Sequence, residues 1–306
     1  MSKRKQFLWA MLGSMMLAGL TACSGDDDQT DVPDDGVRVR RITITETDNA
    51  AARQLLTRAT LTEGDGLTAS WTAGDGLTYC NLSRTNAMTD NIYSGSLTAT
   101  STAATSQFTG DVTCHAGDYL AVVYPATTFS TNESYTISLT GQDGTLGTLA
   151  TNYHYVFGKA TVTSVTDKTA DATMGKMKSL LTVCKFSFID RTSSSAIPIK
   201  TLAISYGGTG SDAGIYPQTA TVAIGVSKAQ ADVHATGATG STVPLTVTCT
   251  SKQAAFYVAL LPTAAQRTYS FTVTDGSGNT YTGTAKATLT EGEYVEATGL
   301  KLTKQP

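Results

Sequence analysis

From Val37 to the end of the chain, short runs of alternating apolar and polar residues follow one another, separated by glycine-rich turns. A period of two places successive side chains on opposite faces of a strand, so the pattern predicts a molecule built almost wholly of β-strands. Val37–Thr47 reads VRVRRITITET: Val37 and Val39 alternate with arginines, then Ile42 and Ile44 with threonines, with a change of phase at Arg40-Arg41. Further strands are predicted over Thr68–Trp71, Leu77–Asn81, Gly95–Thr100, Gln107–Cys114, Tyr119–Tyr124, Tyr135–Leu139 and Tyr155–Val165. In the second half, Leu180, Cys184, Phe186 and Phe188 share one strand face, and Leu202, Ile204 and Tyr206 the next. Strands at Val222–Val226, Leu245–Cys249, Tyr257–Leu261, Tyr269–Val273, Thr280–Leu289 and Tyr294–Leu302 complete it. Glu63-Gly64-Asp65-Gly66, Ala73-Gly74-Asp75-Gly76 and Asp275–Asn279 read as hairpin turns, because glycine accepts positive φ. Trp71, Phe186, Phe188, Phe256 and Phe271 are the expected core aromatics. Asp48–Arg58 fits either a short helix capped by Asp48 or Asn49 or an exposed connector.

The two halves echo each other. Cys114 matches Cys249, Tyr119–Pro125 matches Phe256–Pro262, Tyr135–Leu139 matches Tyr269–Val273, and Lys159–Thr163 matches Lys286–Thr290. Four matches in the same order predict an all-β chain of two tandem β-sandwich domains, residues 59–178 and 179–306. On this reading the strand at Val37–Thr47 lies outside the repeat.

The first residues have a different pattern. Lys3, Arg4 and Lys5 precede an apolar run from Phe7 to Leu20, which is too short for a membrane span and right for a signal-peptide core. Leu20-Thr21-Ala22-Cys23 then matches a bacterial lipobox, which makes residues 1–22 a lipoprotein signal peptide and Cys23 the lipidated residue. Each acyl chain contributes about 0.8 kcal/mol per buried CH2, so two or three hold the protein in the outer membrane. The stretch Ser24–Gly36 is acidic and nearly without apolar residues, a tether. Residues 23–58 therefore comprise the tether and an N-terminal strand.

Composition narrows the function. A net charge of -3 with 15% charged residues excludes a nucleic-acid partner, which needs a basic face. Export permits disulfides among Cys80, Cys114, Cys184 and Cys249. However, Cys184 and Cys249 sit in alternating apolar runs and favour unpaired core thiols, and the pairing stays open. The three histidines, His115, His154 and His234, belong to no metal motif, and no phosphate loop or nucleophile elbow occurs, so neither a cofactor nor an enzyme is expected. Asp65, Asp75, Asp118 and Asp190 fall near turns. Tyr153, Tyr155 and Tyr216 are candidate sugar-stacking rings.

With the lipobox at Cys23, Trp71-Thr-Ala-Gly-Asp75, Tyr119-Leu-Ala-Val-Val-Tyr-Pro125, Leu181–Phe188 and the terminal strand at Tyr294, the chain resembles the fimbrillins, subunits of the type V pili of Bacteroidetes. The resemblance implies two transthyretin-like β-sandwich domains, surface transport as a lipoprotein, cleavage after an arginine, and assembly by donor-strand exchange. The partners are then other fimbrial subunits, the outer membrane through the lipid anchor, and a host or bacterial surface receptor or glycan. The expected cut is Arg58-Ala59, with Arg53 the runner-up. The expected donor is the last strand, with Tyr294, Val295, Leu300 and Leu302. The alternative is a monomeric surface lipoprotein that binds glycans. Only Thr303–Pro306 follow the last strand, a departure from the stalk-subunit pattern that keeps a tip or accessory role open.

Overall fold

The computed structural model describes residues 36–47, 60–64, 66–84, 92–131, 134–225, 232–235 and 243–306. Cys23, Arg53, Arg58, Ala59 and the 48–58 connector lie outside the described residues.

The alternating runs do form strands. The first half contains β1 (Arg38–Thr47), β2 (Thr60–Gly64), β3 (Gly66–Ser70), β4 (Gly76–Asn81), β5 (Ser94–Ala99), β6 (Gln107–Cys114), β7 (Tyr119–Tyr124), β8 (Phe129–Thr131), β9 (Ser134–Ser138), β10 (Val156–Val165), β11 (Thr169–Gly175) and β12 (Lys178–Ser179). A short α1 (Leu146–Thr148) runs into a π-helical turn at Leu149–Tyr153. The second half contains β13 (Thr182–Asp190), β14 (Ala196–Ile197), β15 (Ile199–Tyr206), β16 (Thr219–Ala223), β17 (Asp232–Ala235), β18 (Leu245–Gln253), β19 (Phe256–Leu260), β20 (Arg267–Asp275), β21 (Thr280–Ala287) and β22 (Tyr294–Lys304).

The first body is a sheet whose ends meet. Its strands are hydrogen-bonded in the order β11-β1-β6-β5-β4-β7-β10, and β10 pairs back onto β11. The enclosed core includes Ile42, Ile44, Phe108, Val122 and Met174 around Trp71. Trp71 meets Phe108 and Tyr124 edge-on, with ring centroids 4.9 and 5.6 Å apart.

The second body has the same order of pairing but stays open. Its path is β13-β22-β21-β20-β15-β18, with β19 and β14 on the other edge of β13. Strands β21 and β22 meet only at Tyr281↔Lys304 and Thr282↔Thr303. Phe186, Phe188 and Phe271 cluster at its centre, with Phe271 5.3 and 5.6 Å from the other two rings. All five expected core aromatics are buried.

The bodies share packing. Leu120, Val122 and Tyr124 of β7 face the first core, whereas Ala121 and Val123 face the second. A four-stranded sheet, β17-β16-β9-β8, joins an arm of each body through β9 and β16.

The repeat is real, but it is framed differently from the sequence echoes. Pairing partners and directions equate β1 with β13, β4 with β15, β5 with β18, β6 with β19, β7 with β20, β10 with β21 and β11 with β22. Of the four sequence matches only Lys159 with Lys286 joins equivalent strands; Cys114 with Cys249 and Tyr119–Pro125 with Phe256–Pro262 are one strand out of step, and Tyr135–Leu139 sets the arm strand β9 against β20. The reason is an arm inserted at different points: β8-β9 follows β7 in the first body, whereas β16-β17 follows β15 in the second. Strand β1, expected outside the repeat, is the counterpart of β13.

The four cysteines Cys80, Cys114, Cys184 and Cys249 are buried and unbonded to one another. Burial pushes the thiols of Cys80 and Cys184 up to about 12, so they stay protonated and inert.

A candidate strand-exchange slot

Strand β1 lies between β6, to which it is antiparallel, and β11, to which it is parallel. Arg38–Thr45 run opposite Cys114–Gln107, and Arg41–Thr47 run beside Thr169–Gly175. The β1–β11 contact is the one parallel pairing in this sheet among the described residues. Parallel partners cannot be joined by a hairpin. Nor does any turn join β1 to β6, because β2 to β5 intervene in the chain. Strand β1 therefore occupies a full-length slot without sharing a turn with either wall.

The strand keeps one phase throughout. Arg40, Ile42, Ile44 and Glu46 all point inward and are buried, while Val39, Arg41, Thr45 and Thr47 point out. No phase change occurs at Arg40-Arg41, contrary to the sequence pattern. Val37 and Val39 are exposed and two charged groups are buried instead. The reason is that backbone groups near the two ends of the slot pair with those charges. Arg40 donates from Nε to the Thr166 carbonyl at 2.6 Å, from Nη1 to the Cys114 carbonyl, and from Nη2 to the Gly36 carbonyl at 3.0 Å. At the far end Glu46 accepts from Trp71 Nε1 at 3.1 Å and from the Met177 backbone N–H at 3.2 Å. Between these polar ends, Ile42 and Ile44 are fully buried, each contributing about 1.5–3 kcal/mol relative to exposure. Ile42 sits opposite Gly110 of β6. A Cβ there would come within 2.4 Å of the Ser96 carbonyl oxygen, so the wall needs glycine at this point.

The rim adds exposed ion pairs, Arg38–Asp167 at 2.9 Å and Arg41–Asp111 at 3.5 Å. Such pairs contribute about 0–1 kcal/mol and mainly set register.

After the 48–59 stretch, the chain re-enters as the β2-β3 hairpin, which docks on the second body. Leu61 and Ala69 enter the second core. Glu63 accepts from Lys185 of β13, Tyr257 of β19 and Tyr294 of β22, the last at 3.1 Å. Hydrogen bonds from Lys185 and then Tyr257 hold the Glu63 carboxyl below its ordinary range, against the opposing effect of burial. Burial and the Glu63 carboxylate push the Tyr257 phenol up to about 12. A carboxyl depressed in the fold contributes stability above its unfolded value and loses it as pH falls through the folded value. We expect Glu63→Gln to speed hydrogen exchange in the β2-β3 amides at pH 7. That difference should close as the pH falls below the ordinary 4.5 of a glutamate and through the lowered value. A difference that persists at pH 2 would show that the clasp is not ionic.

The remaining sequence candidates have structural surroundings. In β22, Tyr294, Val295 and Leu300 are half-buried against the second core and Leu302 is buried. This strand runs parallel to β13 from Val183↔Tyr294 to Asp190↔Leu302. Asp75 accepts from the Thr72 N–H at 2.6 Å, Asp118 from the His115 N–H at 2.9 Å, and Asp190 from the Thr192 N–H at 2.7 Å, so each closes its own turn; Asp118 is also paired with Arg84 at 2.6 Å. Tyr216 is not an exposed ring: it is fully buried, and its hydroxyl accepts from the Leu261 N–H. Tyr153 and Tyr155 donate to the carbonyls of Thr140 and Ser138. No group of three or more His, Cys, Asp or Glu able to hold a metal occurs among the described residues.

Sequence reasoning missed β11, the parallel wall of the slot, and the inward role of Arg40 and Glu46. The signal for β11 was present in Ala170, Ala172 and Met174 at alternate positions, but alanines and the flanking charges make a weak strand pattern.

No known protein-family profile matches the chain, and a search of curated proteins finds no match. Among solved structures, one described as a "putative cell adhesion protein" from Bacteroides ovatus aligns with a TM-score of 0.52 over 88% of this chain and 97% of its own, at 12% identity. Another described in the same words, from Bacteroides uniformis, aligns with a TM-score of 0.51 over 84% of this chain and 98% of its own, at 17% identity. At these identities the likeness is one of fold alone, over 84–88% of this chain.

Proposed function

We propose that the chain is a non-catalytic, fimbrillin-type subunit of a surface fimbria that receives a strand from a neighbouring subunit in the slot now filled by β1. The observation that carries this reading is that β1 sits between two walls with which it shares no turn. Its only covalent tie to the rest of the fold is the 48–59 stretch, where Arg53 and Arg58 supply arginine-specific cleavage sites. A cut at Arg58-Ala59 leaves the β2-β3 hairpin clasped at Leu61 and Glu63 and cuts β1 loose. Loss of β1 uncovers two rows of backbone donors and acceptors and an apolar floor, which attract an incoming strand. Lipidation at Cys23 delivers the precursor to the outer membrane, and the cut separates the folded bodies from that anchor. The likeness of fold to the two Bacteroides structures, each described as a "putative cell adhesion protein", supports a structural or adhesive role. Donation of this chain's own β22 is the costlier half of the scheme, since withdrawing it uncovers β13 and Leu302.

The test is negative-stain microscopy of sheared cell-surface material labelled with antibody to this chain. Label along or at the ends of filaments is expected. Label confined to membrane fragments, with none on filaments, would favour the monomeric lipoprotein.

A further inference from the structure

We infer that the slot selects its incoming strand by a polar–apolar–apolar–polar code at four alternate inward positions. The occupant is a strand from a second polypeptide that carries a hydrogen-bond acceptor against Trp71, two aliphatic side chains over the centre, and a cationic donor against the carbonyls of Cys114 and Thr166. The inference rests on the strand-exchange reading and adds to it what kind of strand fits.

The slot is more demanding than a greasy groove. Its centre, lined by residues such as Phe108, Val112, Ala172 and Met174, is apolar and accepts any aliphatic pair. Its two ends are polar and buried. The Trp71 indole N–H has Glu46 Oε2 as its partner at 3.1 Å, in a ring that is fully buried. When β1 leaves, that donor faces an empty slot. An incoming leucine at this position would seal it without a partner, which is the costly case for a buried polar group. At the other end the carbonyls of Cys114 and Thr166 accept from the guanidinium of Arg40, a residue about 1% exposed. A neutral aliphatic residue there would leave the buried Cys114 carbonyl without this donor and take the Thr166 carbonyl's guanidinium partner away. The two requirements lie six residues apart in the strand, so they also fix its register: a slip of two places an aliphatic side chain at one polar end. A slip of one turns the whole row outward.

Strand β22 of a second copy is a poor occupant, because it already holds β13 along its length and buries Leu302. The occupant is therefore a strand of another polypeptide. It reads cation-x-aliphatic-x-aliphatic-x-acceptor if it runs as β1 does, and the reverse if it enters the other way round.

The experiment uses the full chain cut by an arginine-specific protease in the 48–59 stretch, with β1 exchanged in sub-denaturing urea for fluorescent peptides of sequence 37–47. Four peptides are compared by anisotropy: the natural sequence, Glu46→Gln, Glu46→Leu and Arg40→Leu. The natural peptide and Glu46→Gln, which keeps the acceptor, are expected to bind alike, and each leucine peptide at least tenfold more weakly. In cut protein carrying Trp71→Phe, which lacks the indole N–H, the Glu46→Leu penalty should shrink to within about threefold while the Arg40→Leu penalty stays. If the natural peptide binds and the leucine variants bind equally well, the code is wrong and strand exchange survives. If no peptide exchanges, the natural one included, strand exchange falls and the code with it.

Discussion

Replacing Trp71 with alanine lowers the stability of the chain by about 3–5 kcal/mol, the range for a fully buried large aromatic. Trp71 is completely buried at the centre of the closed sheet, with Phe108 and Tyr124 against its ring. Alanine removes those contacts and leaves a cavity in a sheet that is hydrogen-bonded all the way round and so has little freedom to collapse. It also removes the donor that faces Glu46. The urea midpoint should fall sharply with little change in the slope of the transition. Trp71→Phe keeps most of the packing and should lose clearly less. Wild-type stability in Trp71→Ala would mean that the ring is not the centre of this core.

The second large effect belongs to β1. Ile44→Asp is expected to cost about 4 kcal/mol or more, adding an unpaired buried carboxylate to the loss of a fully buried isoleucine. Thr45→Asp, one residue along on the exposed face, should cost less than about 1 kcal/mol. The readout is hydrogen exchange along the slot walls: amides of β6 and β11 should lose protection in Ile44→Asp and keep it in Thr45→Asp. Equal effects at the two positions would contradict the face assigned to β1.

Most strands could be read from the sequence because an exposed sheet face alternates with a buried one. Gln107–Cys114 and Tyr119–Tyr124 match their predicted bounds to the residue. Three things were hidden, each for a physical reason. First, β1 carries buried charges at Arg40 and Glu46, so its apolar pattern seemed to change phase where it does not. What stabilises those charges is backbone distant in sequence, the carbonyls of Cys114 and Thr166 and the N–H of Met177. Second, the β8-β9 and β16-β17 arms sit at different points of the two repeats, which shifted the apparent alignment by one strand. Third, burial of Tyr216 depends on Tyr206, 5.1 Å away between ring centroids, and on the Leu261 N–H, a contact that no local pattern announces. The slot itself could be anticipated only in part. Val37–Thr47 was recognisable as a strand joined to the domains by an arginine-bearing connector, but its walls are set by long-range pairing.

On the proposed reading β1 is an exchangeable strand that cleavage of the 48–59 stretch sets free. The most direct measurement treats purified full-length protein with an arginine-specific protease, sequences the new N-terminus of the large fragment, and follows assembly with partner subunits supplied. The expected result is an N-terminus at Ala59, or at Gln54 if Arg53 is used, release of the 37–47 strand, and oligomers that survive mild detergent. A clean cut in the connector that yields neither release of β1 nor detergent-resistant assembly would contradict it.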